Sequence, residues 1–257
     1  MEHREDSALE LVHAICDLYA AFSDMPRPLQ IEFCPCGCTK PEEVARLLAA
    51  PLRELCFSDL ANYSFSAMTT QGSVEDFRYF LPRLFEGIAS EPYDYNPEIL
   101  FGKLRYADWK DWPESQKNAV KEYLRALWFS ALTTFPIEEK LPAFCEIESM
   151  LGSIAQTGEA LSPYLQRWDG IQCTAADEHL VQFVTMYGAD FAEGRTLSFA
   201  FWENSQTQAQ EIRSWLLKPT TIERIVKAAR LLKNDGFEHL FDPAVAILKE
   251  QMIAELQ

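Results

Sequence analysis

Apolar residues recur at intervals of three and four along nearly the whole chain, and that period specifies amphipathic helices. Leu9, Val12, His13, Cys16, Tyr19, Ala20 and Phe22 mark a first helix, with Asp6 or Ser7 as its cap and Pro26 and Pro28 as its stop. Thr39 reads as the cap of a second, with Pro41 in its first turn and Glu42 and Glu43 favouring the helix dipole. Ser58 reads as the cap of a third, through Leu60, Tyr63, Phe65 and Met68. Gly72 and Ser73 break it, and Ser73 with Asp76 opens the next, which carries Phe77, Phe80, Leu81, Leu84, Phe85 and Ile88. Asn96 and Pro97 have the chemistry of a cap and a first helical residue. After a Trp109–Trp112 turn, Pro113 starts a long helix to Thr134. Further helices are predicted near 141–156, 159–168, 175–188, 206–217, 220–234 and 242–256.

Only Leu29–Phe33 and Arg195–Trp202 have the alternation of a strand. A parallel α/β sheet needs a series of strands between helices, and none is present. The expectation is an all-α protein, an irregular multi-helix bundle or a HEAT-like helical array, with about ten helices and at most one or two short strands. One domain spans 1–257, with sub-units at 1–90, 91–204 and 205–257. The array reading rests on one echo: Ser64-Phe65-Ser66-Ala67-Met68-Thr69-Thr70 resembles Trp128-Phe129-Ser130-Ala131-Leu132-Thr133-Thr134, and the pairs Leu81-Pro82 and Leu141-Pro142 follow the two copies.

The 257 residues are 48% hydrophobic, with 17 Phe, 9 Tyr and 6 Trp, so the chain has ample apolar area for a core. No apolar run reaches the roughly 20 residues that cross a bilayer. The chain opens with Glu2, Glu5, Asp6 and Glu10, where a secretory signal would be basic and then apolar, so the expected compartment is the cytoplasm. A net charge of −16 argues against nucleic acid as a partner, because phosphates would be repelled. The charge is uneven: residues 1–204 carry 32 acids and 16 bases, whereas 205–257 carry seven of each. An acidic body of this kind suits solubility, and it suits another protein with a basic surface.

The sharpest local feature is Cys34-Pro35-Cys36-Gly37-Cys38. Thiolates are favoured at helix entrances, and Pro35 and Gly37 let the loop turn two sulfurs towards one point. Closed zinc sites take four ligands, so Cys34, Cys36 and Cys38 need another from a flanking helix: His13 first, with Cys16 and Cys56 as further candidates. Zinc is thus the one cofactor the sequence suggests. The same spacing admits redox chemistry and ordinary reduced thiols, and an odd total of seven cysteines argues against a disulfide framework. Cys145 and Cys173 read as small hydrophobes.

Two other features stand out. Asp177-Glu178-His179 joins carboxylates to an imidazole, but neighbours on a helix point in different directions, so it reads as a surface first turn. His3 and His239 read as surface groups, and Asp76, Glu86, Asp94 and Glu98 as scattered acids. On the predicted helix 220–234, Ile222, Ile225, Val226, Ala229 and Leu232 form an apolar stripe. Arg224, Lys227, Arg230 and Lys233 line its other side, which is either a solvated face or a dock for an acidic partner. The sequence has no nucleophile elbow, phosphate loop, dinucleotide glycine motif or H-E-x-x-H.

Residues 30–90 resemble a family of uncharacterised bacterial helical proteins. The resemblance is carried by the Cys-Pro loop and by Pro51-Leu52-Arg53, Asp59-Leu60, Tyr63, Ala67, Thr69-Thr70, Gly72, Asp76-Phe77-Arg78 and Phe80-Leu81-Pro82-Arg83. It implies a bacterial origin and brings no activity with it. Together these readings lead to a non-catalytic, soluble helical interaction protein, an adaptor or an immunity-like factor that masks a basic surface. An enzyme with a site between helices and a zinc-held module at Cys34–Cys38 are the alternatives.

Overall fold

The computed structural model describes residues 2–37, 39–90, 95–134, 146–195, 201–232 and 238–255. Among them the protein is all-α, a multi-helix bundle without strands. No helix among the described residues is long and apolar enough to cross a membrane. The chain gathers into two compact units, Ala8–Leu127, and Met1–Ser7 with Trp128–Gln257.

The first unit holds most of α1 (Glu2–Ala21), then α2 (Pro41–Ala49), α3 (Phe57–Ser66), α4 (Val74–Ser90), α5 (Pro97–Tyr106) and the start of α6 (Glu114–Thr133). Its centre is α4. All six apolar residues expected on that helix are buried, and their spacing of three and four residues puts them on one face. Each contributes about 1.5–3 kcal/mol of transfer free energy, offset by the entropy of ordering the chain. Rings from neighbouring helices close over them: Phe85 lies 4.8 Å from Tyr123 and 5.3 Å from Phe101, and Phe80 lies 5.0 Å from Tyr63. Gly87 is where Tyr95 crosses the helix. A Cβ there would come within 2.6 Å of the Tyr95 ring, which is held by its hydroxyl donating to the Phe57 carbonyl.

The helix starts obey local chemistry. Ser73 and Asp76 form a reciprocal box: the Ser73 amide donates to Asp76 Oδ2 at 2.8 Å, and the Asp76 amide donates to Ser73 Oγ at 3.2 Å. Asn96 Oδ1 accepts from the Ile99 amide at 2.8 Å, with Pro97 at the first helical position. Other starts differ from expectation by one or a few residues. α2 is capped at Lys40, not Thr39, and the Glu43 carboxylate accepts from the Lys40 amide. α3 begins at Phe57 after Cys56, ahead of Ser58, and ends at Ser66, so Met68 falls in the turn beyond.

The largest correction concerns α1. It starts at Glu2, so Asp6 and Ser7 lie inside it rather than capping it. Its buried face is Ala14, Leu18, Tyr19 and Phe22, whereas Leu9 and Val12 are 56% and 55% exposed, and His13 and Cys16 are exposed too. Two apolar stripes run along this helix, and periodicity alone does not rank them.

The Leu29–Phe33 segment becomes a single bridge rather than a strand. Phe33 pairs with Gln71, the Cys34 amide donates to the Thr70 carbonyl at 2.8 Å, and the Gly72 amide donates to the Glu32 carbonyl at 2.7 Å. The turn after α3 places Met68 in the left-handed region, φ 61°, a strained setting for a side chain of this size. Gly72, at φ 72°, meets the same demand without cost. The two copies of the echo therefore differ: Ser64–Thr70 leaves its helix at Ser66, whereas Trp128–Thr133 is helical throughout. Leu141-Pro142 lies outside the described residues, as do Cys145 and residues 196–200 of the second candidate strand.

The second unit contains the end of α6, α7 (Glu146–Gln156), α8 (Ser162–Gly170), α9 (Thr174–Phe183), α10 (Ala189–Ala192), α11 (Gln206–Leu216), α12 (Pro219–Leu232) and α13 (Glu238–Glu255). A π-helical turn, Val184–Gly188, joins α9 to α10. The core is built on tryptophans. Trp168 stacks on Trp215 at 5.1 Å and meets Trp128 edge-on at 5.5 Å. Each indole N–H is satisfied: Trp128 donates to the Tyr164 carbonyl, Trp168 to Ala176, Trp215 to Asp169 Oδ1 and Trp202 to Glu148 Oε1.

Candidate functional site

The cysteine loop lies between the Phe33–Gln71 bridge and α2. Cys34 and Cys36 place their sulfurs 2.7 Å apart, and the Cys36 amide points at Cys34 Sγ from 3.4 Å. Gly37 turns the chain at φ 86°. Of the four expected metal ligands the structure thus brings two together. Cys38 lies outside the described residues, and His13 sits on the exposed face of α1. Among the described residues, no group of three or more His, Cys, Asp or Glu side chains is placed to hold a metal ion.

The Asp177–His179 turn is not the surface feature that the sequence suggests. His179 is only 2% exposed, and its Nε2 lies 2.8 Å from the Thr134 carbonyl and 3.0 Å from the Ala131 carbonyl. Both partners are acceptors, so Nε2 carries the proton. Burial lowers the pKa of His179, and the two backbone bonds offset part of that shift. The imidazole is a neutral tie between α9 and the end of α6, not an acid–base pair with its sequence neighbours. Asp177 turns instead to Arg224 at 3.0 Å. Burial also raises the pKa of Glu178.

A depressed histidine pKa has a definite sign. The folded protein resists protonation, while the unfolded chain takes up a proton near its ordinary value of about 6.5. Stability from this site is fully present above that value and falls as pH drops below it. Urea midpoints measured between about pH 7.5 and 5 should decline by more in the wild type than in His179→Gln, with a limiting slope of about 1.4 kcal/mol per pH unit. Parallel curves would show that His179 does not carry the effect.

A constellation that the sequence did not reveal lies in the first unit. Tyr19 on α1 donates to Glu86 Oε2 at 2.5 Å, and Arg83 donates to the same oxygen at 2.7 Å. Arg83 also donates twice to the Leu55 carbonyl, and its guanidinium lies 3.9 Å from the Phe57 ring centre. Arg53 covers the Tyr19 ring at 3.6 Å. Burial first, and the Glu86 carboxylate second, raise the Tyr19 pKa and keep its hydroxyl protonated. Glu86 is engaged from two sides, so the network tethers α1 and the Leu55 turn to α4. Sixty-seven residues separate Tyr19 from Glu86, too far for any local pattern to signal the pair.

The residues behind the family resemblance have a common structural use. Gly72 and Asp76 build the turn into α4, Arg83 holds the Leu55 carbonyl, Arg78 donates to Gln116 at 2.7 Å, and Asp59 pairs with Arg46 at 2.8 Å. They fix how helices meet.

Two grooves open on the second unit. One, of about 580 Å³, runs between α8 and α11 and is lined by Leu165, Trp215 and Lys218 together with neutral polar groups including Gln166, Gln206, Gln210 and Ser214. Glu211 in its wall accepts from the amide and hydroxyl of Ser162, so its carboxylate caps α8. The other groove, about 460 Å³, lies between α12 and α13. Its floor is Ile222 and Val226, and Leu231 at its edge is 68% exposed. Lys227, Arg230 and Lys249 surround it, with Glu223 as the one acid in its lining. Lys227 and Arg230 stand on the basic line expected of this helix. Arg224 leaves that line for Asp177, and Lys233 lies outside the described residues. Lys249 comes from α13 and carried no signal in the sequence, because only the packing of two helices brings it into one groove with Arg230.

Compared with protein-family models, with curated proteins and with solved structures, this chain matches none of them.

Proposed function

We propose that this protein is a non-catalytic helical interaction protein that holds an acidic, amphipathic helix of another protein in the α12–α13 groove. One observation carries the reading: Lys227, Arg230 and Lys249, against the single acid Glu223, line a groove with the apolar Ile222, Val226 and exposed Leu231, in a chain whose net charge is −16. Helix-in-groove recognition needs both elements. Apolar anchors supply affinity and opposite charges supply orientation and encounter rate. The acidic remainder of the chain repels an acidic helix elsewhere, which favours this groove over the rest of the surface.

The test uses a labelled acidic amphipathic peptide and a scrambled control of the same composition. The full chain should bind the first and not the second, more weakly as salt rises. Lys227→Glu with Arg230→Glu should weaken binding at least tenfold, about 1.4 kcal/mol, with the helical circular dichroism unchanged. Leu231→Ser should also weaken binding while leaving the salt slope unchanged, because it removes an apolar anchor and no charge. Equal binding of both peptides, or an affinity indifferent to charge reversal, would sink the reading.

A further inference from the structure

We propose that Cys34 and Cys36 form a reversible redox site that closes to a Cys34–Cys36 disulfide by exchange with a low-molecular-weight disulfide. The inference is independent of the groove. It rests on where the fold puts two sulfurs. The backbone on one side is fixed: Glu32, Phe33 and Cys34 are tied in sequence to Gly72, Gln71 and Thr70. Two residues after Cys34, Cys36 sets its sulfur against the first, and its own amide points back at Cys34 Sγ from 3.4 Å. Cys36 is exposed and Cys34 half-buried, so a small oxidant can reach the pair.

The two sulfurs are immediate neighbours in the loop, as closure to a bond of about 2.05 Å requires. A closed zinc site takes four ligands, and among the described residues no group of three or more His, Cys, Asp or Glu side chains is placed to supply them.

The exchange balances as two displacements. The exposed Cys36 thiolate attacks the small disulfide, forming a mixed disulfide and releasing one small thiolate. The Cys34 thiolate then attacks the Cys36 sulfur and releases the second. Two protons pass from the protein thiols to the leaving thiolates. The protein sulfurs lose two electrons, and the small disulfide gains them. A disulfide spanning so few residues in an exposed loop is readily reduced, which suits reversible use rather than a structural staple.

The full chain would be equilibrated across ratios of reduced to oxidised glutathione, quenched in acid, alkylated and weighed intact. Fully reduced protein should take up seven alkyl groups. Oxidised protein should take up two fewer and carry no glutathione, with peptide mapping placing the lost sites at Cys34 and Cys36. Cys34→Ser and Cys36→Ser should each alkylate at all their remaining thiols or retain a glutathione adduct, while Cys38→Ser should still form the pair. A stable glutathione adduct on wild-type Cys36, a bond that maps to Cys38, or no oxidation at any ratio would overturn the proposal. So would about one zinc per reduced chain that is lost in both Cys34→Ser and Cys36→Ser.

Discussion

Trp168→Ala is expected to lower the unfolding free energy by about 3–5 kcal/mol. Trp168 is fully buried and is the hub of the second unit: Trp215 stacks on it, and Trp128 and Phe183 meet it edge-on. Removing the indole takes away the largest single apolar side chain at that point. It also leaves a cavity between rings too rigid to collapse into it, and the Ala176 carbonyl loses its donor. Trp168→Phe keeps much of the volume and should lose clearly less. Denaturant unfolding followed by near-ultraviolet circular dichroism measures both. A loss under about 1 kcal/mol for the alanine variant would mean that the aromatic cluster is not the core of this unit.

Arg224→Ala should cost about 2–3 kcal/mol by the same measurement. One guanidinium there does the work of several caps. It donates to the Trp168 carbonyl at 2.6 Å and to the Ile171 carbonyl at 2.8 Å, both at the end of α8, and to Asp177 in the first turn of α9 at 3.0 Å. The end of a helix leaves carbonyls without intrahelical donors, and this arginine supplies them from α12. Its side chain is 18% exposed and that of Asp177 28%, so water reaches the pair only in part after truncation. Arg224→Lys keeps the charge but cannot fork to three acceptors, and should recover less than half of the loss. Full recovery by lysine would show that charge alone matters at this position.

Arg224 also shows where sequence reading stops. Arg224, Lys227 and Arg230 follow one another at three-residue steps and look equivalent. Two of them border the groove, while Arg224 is drawn inward by acceptors on two other helices. His179 is similar: its i±3 and i±4 neighbours gave no sign that carbonyls 45 and 48 residues away would enclose it. On α1, Leu9 and Val12 satisfy helical periodicity as well as Leu18 and Phe22 do, but only the latter pair is buried.

Sequence by itself determined the class of fold, the apolar face of α4 and the helix starts that depend on short-range chemistry. The Ser73–Asp76 box and the Asn96–Pro97 start form between residues three apart, so the interacting groups are visible in one window of the chain. The six buried residues of α4 form a single apolar face with no rival on that helix. Tertiary structure decided the rest: which stripe of α1 is covered, the Tyr19–Glu86–Arg83 tether, the inward turn of Arg224, and the placing of Lys249 in one groove with Arg230. Each depends on a surface contributed by a distant segment. The free energy of burying a side chain, or of pairing a charge, is fixed by the group it meets, and that group has no local record in the sequence.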